Sequence, residues 1–236
     1  MANQVLTLSN GEMIPYQLEH RARRTVGLKI TAEGLIVHAP KRIFAFQLNQ
    51  ILQDKSNWIL SKLEHRAATQ VEKTEWLDGE HLLYLGQDIQ LNIVPSQTNK
   101  TLVFAANVLS MATPTPNKHA LISRKVIQWY KNQAALDFSR RLEILAAKLG
   151  VPTPPLTLSN AQSRWGSCNS RGEVRLNWRL LQAPPHIINY VICHELAHLK
   201  EMNHSAKFWA LVEGLFPNYK AAEKELKALS PTLHRI

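Results

Sequence analysis

The feature that most constrains this chain is the segment His194-Glu195-Leu196-Ala197-His198. Two histidines four residues apart lie on one face of a helix, so both imidazoles can reach a single divalent ion. Glu195 is then placed to hold and deprotonate a water on that ion. This is the zincin signature, and it predicts a helix that carries a catalytic metal site.

The residues around this motif predict that its helix is buried. Charged side chains are seldom found in a buried helix unless they are paired or bound to a metal. An exposed amphipathic helix that carries His and Glu by chance fits the composition poorly. The apolar positions that support burial are Ile187, Ile188, Val191, Ile192, Leu196 and Leu199.

His204, six residues after His198, is the favoured third ligand. It has the spacing of the long zincin motif, although Glu201 stands where that motif has glycine. Asn203 tolerates the left-handed conformation that ends helices, and Ser205 is suited to cap a new helix from Ala206. Three histidines leave the fourth position of a catalytic zinc open. The alternative third ligand is a glutamate from the following helices, with three candidates: Glu213, Glu223 and Glu225.

Residues 173–180 alternate strictly between apolar and polar side chains, as in a strand with one buried face. In zincins the strand above the metal helix offers its edge to an extended peptide, so this strand is predicted to bind substrate through its backbone. An equally good interpretation is the solvated face of a two-layer sheet. The substrate-binding candidates are Arg164, Arg175, Asn177 and Arg179.

The segment before that strand is predicted to form a strand over residues 163–165 and a turn over residues 166–172. Candidate donors that would stabilise an oxyanion are Tyr190, Tyr219 and Arg164. The two cysteines form no disulfide framework. Cys193 is interpreted as a small core residue, and Cys168 as a structural residue or, alternatively, a redox or inhibitory thiol.

The net charge of +10 is unevenly placed along the chain. Residues 1–116 hold 11 Lys/Arg against 10 Asp/Glu, whereas residues 117–236 hold 17 against 8. Such a basic half attracts acidic peptides or nucleic acid, although a generally basic solvated surface explains it as well. In the first half, the small basic cluster Arg21-Ala22-Arg23-Arg24 is interpreted as a solvated edge.

The sequence also predicts a cytoplasmic location. Residues 1–10 lack the basic start and apolar centre of a signal peptide. No apolar run is long enough to cross a bilayer.

The pattern of periodicities predicts an α+β chain of two domains. Residues 1–116 form a β-rich unit with one long helix, from Phe44 to about Glu72. The prolines and small polar residues of segment 112–117 mark the boundary. Residues 117–236 form the catalytic domain, with a long helix over residues 119–150, a small sheet, and the metal helix opened by Pro184 and Pro185.

Four segments resemble the YgjP-like family of predicted metal-dependent hydrolases, a zincin-like group related to the SprT-type proteases. The resemblance is specific from about Arg124 to Leu229. It implies a zincin-like catalytic fold of a long helix, a small antiparallel sheet and the metal helix, preceded by the β-rich unit. It also implies Zn²⁺ bound by His194, His198 and His204, with Glu195 as the general base. The segments are residues 164–168, residues 175–179, residues 194–199, and residues 203–205 with Phe208-Trp209.

The resulting prediction is a cytoplasmic zinc-dependent metallopeptidase that acts on peptides or proteins. Glu195 is its general base, and His194, His198 and His204 are its metal ligands. A second hypothesis is a nucleic-acid-associated module that uses the basic C-terminal half, through Arg175 and Arg179. Hydrolysis of a non-peptide amide is a third, because the metal chemistry is indifferent to the acyl group.

Overall fold

The computed structural model describes residues 2–8, 11–31, 34–68, 72–98 and 100–236, and within it the chain divides into two compact units. Unit 1 spans Met1–Gln70 and unit 2 spans Val71–Ile236. This division differs from the predicted boundary after residue 116. The hydrophobic core that contains the metal helix also includes Leu82, Leu91, Leu109 and Met111, so the strands that carry these residues belong with the catalytic part of the chain.

Unit 1 is a four-stranded sheet with two helices. Its strands are β1 (Ala2–Thr7), β2 (Met13–Arg21), β3 (Gly27–Thr31) and β4 (Gly34–Pro40), in the order β1-β2-β4-β3, with β2 and β4 parallel. The helices are α1 (Ala45–Asp54) and α2 (Ser56–Ala68). The predicted single helix is therefore interrupted, because Lys55 takes a non-helical backbone conformation (φ −100°, ψ 6°). Buried residues of β1, β2, β4, α1 and α2 form the core of unit 1.

The first sheet of unit 2 has the same strand order as that of unit 1. Its strands are β5 (His81–Tyr84), β6 (Gln87–Pro95), β7 (Val103–Ala105) and β8 (Val108–Thr113), in the order β5-β6-β8-β7. Strands β7 and β8 form a hairpin. Ala106 and Asn107 both adopt positive φ, at 47° and 60°, as a tight hairpin turn requires.

Helix α3 (His119–Leu149) is the long helix that the sequence predicts. It ends at Gly150, which adopts the left-handed conformation (φ 71°) that favours glycine at a helix C-terminus. The Tyr130 hydroxyl donates a hydrogen bond of 2.8 Å to the Leu83 carbonyl, which ties the helix to β5. The helix buries one residue in every four: Ile122, Val126, Tyr130, Ala134, Phe138, Leu142 and Ala146.

The remaining elements surround the metal helix. Strands β9 (Leu156–Ser159), β10 (Gly166–Cys168) and β11 (Val174–Asn177) form a sheet in the order β10-β11-β9. A 3-10 helix (Trp178–Gln182) leads to α4 (Pro185–Ala197), α5 (Ala206–Leu215) and α6 (Tyr219–Leu233). The sheet is antiparallel only between β10 and β11, since β9 runs parallel to β11. The α+β class is confirmed. None of the helices in the described ranges is long and apolar enough to cross a membrane.

Candidate metal centre

Helix α4 carries the motif and is buried as predicted. Pro184 occupies the N-cap and Pro185 the first helical position, where a missing N–H costs nothing. Of the six apolar flanking residues, five are fully or nearly fully buried, and Leu199 packs against the core from its edge. The helix therefore presents His194, Glu195 and His198 from a rigid part of the fold.

A tight turn after α4 returns the chain to the motif. The amides of Leu199 and Lys200 donate to carbonyls three residues earlier, so the helix tightens as it ends. Asn203 is not among the described residues with positive φ, so the prediction that it ends the helix in the left-handed conformation is wrong. Ser205 caps α5 as predicted, since its hydroxyl accepts a 3.3 Å hydrogen bond from the Phe208 amide.

This turn brings His204 beside the two motif histidines. One ligand atom from each of His194, His198 and His204 lies within 4.8 Å of the other two. The Nε2 atoms of His194 and His204 are 3.1 Å apart. Two imidazoles on one tetrahedral zinc would place their nitrogens about 3.3 Å apart, given usual zinc–nitrogen distances. The donor set therefore fits a single divalent ion.

Surrounding groups hold the imidazoles in place. Nδ1 of His198 lies 3.2 Å from the Glu201 carbonyl, a contact that leaves Nε2 free to bind a metal. Nδ1 of His194 is buried and has no hydrogen-bond partner within the described structure. Its ring is held by packing instead, because Phe208 contacts all three imidazoles at centroid distances of 4.5–4.9 Å.

Burial keeps two of the histidines neutral. The pKa of His194 is lowered to about 4, mainly by burial and in smaller part by the neighbouring His198 and His204. Burial also lowers the pKa of His198. Both rings therefore offer unprotonated nitrogens at neutral pH, which is the form that binds metal.

Glu195 is 5 % exposed and lies against strand β10. Burial raises the pKa of its carboxyl to about 8, and the charge of Arg164 opposes part of that rise. A Cβ at Gly166 would stand 2.7 Å from Cγ and Cδ of Glu195 and closer still to Oε1. The carboxyl group occupies the space that a side chain at residue 166 would fill.

Gly166 is a site residue that sequence reasoning missed. The sequence predicts a turn over residues 166–172. In the structure Gly166 instead begins β10, and the turn lies between β10 and β11. Because Gly166 and Glu195 are 29 positions apart, their contact cannot be read from the local sequence. The one local feature that could have marked residue 166 as special is a glycine directly after Arg164-Trp165.

The site sheet has two edge strands, β10 and β9, and the one beside Glu195 is β10 and not the predicted strand. β11 lies between β10 and β9, so both of its edges are hydrogen-bonded within the chain. Its alternation also ends at Asn177, after which the 3-10 helix begins. β10 pairs only with β11 and lies beside Glu195.

The four predicted substrate residues do not share one exposed surface, although the Asn177 side chain contacts two of the others: it donates to the Arg164 carbonyl at 3.4 Å and accepts from the Arg179 amide at 3.1 Å. Arg164 is exposed and lies close enough to Glu195 to affect its pKa, and Arg175 is exposed on β11. Asn177 is fully buried and donates a 2.7 Å hydrogen bond to the Ala161 carbonyl. Arg179 is 9 % exposed, donates to the Asn160 side chain at 2.6 Å and to the Ile236 carbonyl, and stacks on Trp178. The structure gives no support to substrate contact by Asn177 or Arg179, since their polar groups bind the protein itself.

The glutamates proposed as alternative ligands do not join the group of three histidines, although Glu223 lies close enough to His194 for its charge to raise the pKa of that ring. Glu223 accepts a 2.9 Å hydrogen bond from Lys227, Glu225 lies 2.8 Å from His186, and Glu213 is exposed. Within the described residues, the three histidines are the one group of potential ligands that gathers at a point.

The remaining candidates lie around the centre. The Tyr190 ring packs 6.2 Å from that of His194, and burial raises its pKa to about 12. Tyr219 stacks on Trp209 at 5.1 Å. Cys193 is buried, and Cys168 is partly buried near Glu195, whose charge, together with burial, raises the pKa of its thiol.

Comparison with known proteins supports this assignment. The family model described as YgjP-like, metallopeptidase domain, matches residues 24–229. The chain is 29 % identical over 86 residues to a UTP pyrophosphatase of Escherichia coli strain K12, a match that spans 36 % of this chain and 48 % of that protein. The chain thus spans about half the length of this relative.

Two solved structures are also similar. The metallopeptidase zymogen abylysin of Pyrococcus abyssi shares 27 % identity, with 39 % of this chain and 92 % of that chain covered and a TM-score of 0.37. The zymogen jannalysin of Methanocaldococcus jannaschii shares 21 % identity, with coverages of 40 % and 96 % and a TM-score of 0.35.

Proposed function

This chain belongs to the YgjP-like family of metallopeptidase-domain proteins, and from that premise we propose that it is a metal-dependent peptidase. The observation that carries the proposal is the convergence of three imidazoles beside a buried carboxyl group on one helix. His194, His198 and His204 are the metal ligands, and Glu195 is the general base. No other residue in the described ranges joins this group of potential ligands.

Zinc is the metal that this donor set fits best. Three neutral imidazoles in a closely packed site are typical of catalytic zinc, which keeps a further coordination position for water or substrate. When bound, the ion acts as a Lewis acid that polarises the scissile carbonyl and lowers the pKa of water at the site.

Glu195 moves the proton in this reaction. Its carboxylate accepts a proton from the attacking water as the new carbon–oxygen bond forms, and it then donates that proton to the leaving amine nitrogen as the carbon–nitrogen bond breaks. Burial raises the pKa of Glu195 to about 8 without a metal, so a bound cation would be needed to keep this carboxyl ionised as a base near neutral pH. Arg164, which acts on the charge of Glu195, and Tyr190, which packs beside His194, are candidate donors to the developing oxyanion.

The substrate peptide lies along the free edge of β10. An extended peptide adds a strand to an exposed sheet edge through main-chain hydrogen bonds. β10 lies against Glu195 at Gly166, so a peptide on that edge passes next to the general base. Arg164, exposed just before β10, is placed to contact acidic groups on the substrate.

The test is hydrolysis of an unfolded protein substrate by the chain with Glu195→Gln. The variant keeps the size of the side chain and loses the base, so zinc content should match that of the wild type while hydrolysis disappears. Glu225→Gln is the matched control, because Glu225 lies on exposed α6 and pairs with His186 outside the site. Hydrolysis by Glu195→Gln at the wild-type rate would overturn the mechanism.

A second candidate activity is hydrolysis of a nucleoside triphosphate. It is favoured by the match to the UTP pyrophosphatase and by the exposed cation Arg164 near Glu195, which suits a phosphate group. Release of pyrophosphate from UTP, measured beside peptide hydrolysis with the same preparations, separates the two. Pyrophosphate release that is lost in Glu195→Gln, without peptide hydrolysis in the wild type, would assign the site to nucleotides.

A further inference from the structure

Two basic segments of unit 1 meet at one end of its sheet. Strands β2 and β4 are parallel, with Arg21 opposite Pro40, so the residues that follow both strands emerge side by side. A contact of 3.0 Å between Nδ1 of His20 and the Pro40 carbonyl ties the two ends together. Five exposed basic residues follow there, and we call them the basic cluster: Arg21, Arg23, Arg24, Lys41 and Arg42.

The basic cluster concentrates the charge of unit 1. Residues 1–70 hold nine Lys/Arg against five Asp/Glu, and five of those nine cations lie in the cluster. Arg21 pairs with Glu19 at 2.7 Å, while the other four have no ion-pair partner among the residues that the structure describes. Unpaired cations gathered on one surface attract polyanions.

Two exposed aromatic rings lie directly beside this cluster. Phe44 and Phe46 are 71 % and 68 % exposed, and they follow Arg42 at the start of α1. Their centroids are 6.0 Å apart, with an angle of 21° between the planes. Large apolar rings left in water next to cations are typical of surfaces on which nucleic-acid bases stack.

An open cavity of about 450 Å³ adjoins the same surface. Its wall includes His20 from β2, Ile43 from the segment before α1, and three residues of α1: Ala45, Leu48 and Asn49. The volume is in the range of small-molecule sites, and the mixed polar and apolar wall suits a heterocyclic base.

We propose that this surface of unit 1 binds single-stranded nucleic acid. The basic cluster contacts phosphates, and bases stack on Phe44 and Phe46 or enter the adjoining cavity. A single strand fits better than a duplex, because only unpaired bases present their faces to aromatic side chains.

A lipid surface fits these observations less well. A helix that lies in a membrane interface presents a continuous apolar face. The apolar residues Leu48 and Leu52 of α1 are buried in the core of unit 1, while the exposed neighbours Gln47, Asn49 and Gln50 are polar. Phe44 and Phe46 therefore form a pair of rings and not a membrane-binding face.

The test uses the full chain and fluorescently labelled oligothymidylate and oligouridylate of about 15 nucleotides, a length suited to one site. Fluorescence polarisation at several salt concentrations gives the affinity and its salt dependence. Binding to either oligonucleotide is expected at low salt, and it should weaken as salt rises. Glu195→Gln should bind equally, so this result does not depend on the proposed activity.

Two variants separate the contributions of charge and stacking. Arg23→Gln/Arg24→Gln/Lys41→Gln/Arg42→Gln should reduce the slope of log affinity against log salt by up to about 3. Phe44→Ser/Phe46→Ser should weaken binding about tenfold or more and leave that slope unchanged. Lys55→Gln/Lys62→Gln, which removes two cations elsewhere in unit 1, is the matched control and should bind nearly as the wild type.

Three outcomes would overturn the proposal. The first is no binding to either oligonucleotide at low salt. The second is binding that both variants leave unchanged and that Arg175→Gln abolishes, since this would move the site to the basic C-terminal half. The third is binding only to vesicles of phosphatidylserine and phosphatidylcholine, which would identify a lipid surface.

Discussion

Glu195 has its position because residue 166 has no side chain. Its carboxyl lies against the backbone of β10, where an added Cβ would stand 2.7 Å from Cγ and Cδ. Gly166 is not among the described residues with positive φ, so its backbone tolerates alanine, and the three atoms nearest to an added Cβ all belong to Glu195. Gly166 is therefore a positioning residue for the general base.

Gly166→Ala is expected to separate catalysis from metal binding. The added methyl group displaces Glu195, so hydrolysis should fall by about 100-fold, as for a misplaced catalytic group. Overpacking should lower the free energy of unfolding by about 1–3 kcal/mol. Zinc content should not change, because the three histidines do not contact residue 166.

A double-mutant cycle checks the cause of that loss. In a Glu195→Ala background the carboxyl is absent, so Gly166→Ala should no longer lower the free energy of unfolding measured in urea. Gly214→Ala is the control, since a Cβ at Gly214 meets nothing within 4 Å. An equal loss of stability from Gly166→Ala in both backgrounds would show that Glu195 is not the group displaced.

Arg175 and Arg179 belong to the same polar face of the predicted strand, but they have different roles in the structure. Arg179→Ala should lower the free energy of unfolding by about 1–3 kcal/mol, because it leaves the buried carbonyl of Ile236 without this donor and leaves Trp178 Nε1 as the remaining donor to the Asn160 side chain. Arg175→Ala, at an exposed position, should change it by less than about 0.5 kcal/mol. Urea unfolding of both variants measures this, and equal effects would contradict the structural role of Arg179.

At the scale of elements, the centre depends on how α4 ends and α5 begins. His204 lies immediately before Ser205, whose hydroxyl caps α5. Phe208, in the first turn of α5, contacts all three imidazoles. The start of α5 thus fixes both the third ligand and the apolar wall of the site.

Ser205→Ala should therefore weaken metal binding as well as the fold. Loss of the cap should cost about 1 kcal/mol in the free energy of unfolding. Zinc affinity should fall about tenfold, since His204 is less firmly held. Ser205→Thr keeps a capping hydroxyl and should restore both values in urea unfolding and zinc titration. Unchanged zinc affinity in Ser205→Ala would mean that the cap does not position His204.

The sequence predicted those elements that are determined by residues close to one another in the chain. The spacing of His194 and His198, the prolines that open α4 and the glycine that ends α3 all act within one or two helical turns. The hairpin at Ala106-Asn107 escaped prediction because alanine seldom adopts positive φ. The free edge at β10 escaped it because strand order depends on long-range pairing, and the polar face of β11 gave no sign of that order.

At the scale of the whole molecule, the division into two units follows the packing of the hydrophobic cores and not the distribution of charge along the chain. The sequence predicts a domain boundary in segment 112–117, because prolines there coincide with a change in charge balance. Leu82, Leu91 and Leu109, all before that segment, are nevertheless buried in the core shared with α3 and α4. Burial across long sequence distances cannot be read from composition.

The position of the boundary leads to a prediction about fragments. A fragment of residues 71–236 should unfold cooperatively on heating and bind zinc, because it retains the complete core of unit 2. A fragment of residues 117–236 should neither unfold cooperatively nor bind zinc, since it exposes the apolar surface that the sheet of β5 to β8 covers. Circular dichroism with and without zinc measures both. Equal stability of the two fragments would place the boundary at 116 after all.

The proposed chemistry requires that His194, His198 and His204 hold one metal ion. Zinc titration of the metal-free chain, followed by calorimetry and elemental analysis, tests it directly. The wild type and His186→Ala, a histidine of α4 that pairs with Glu225 outside the centre, should each bind a single zinc. His204→Ala should lose most of the bound zinc, measured as zinc content per chain. Full retention of zinc by His204→Ala would contradict the three-histidine centre and point to a glutamate as the third ligand.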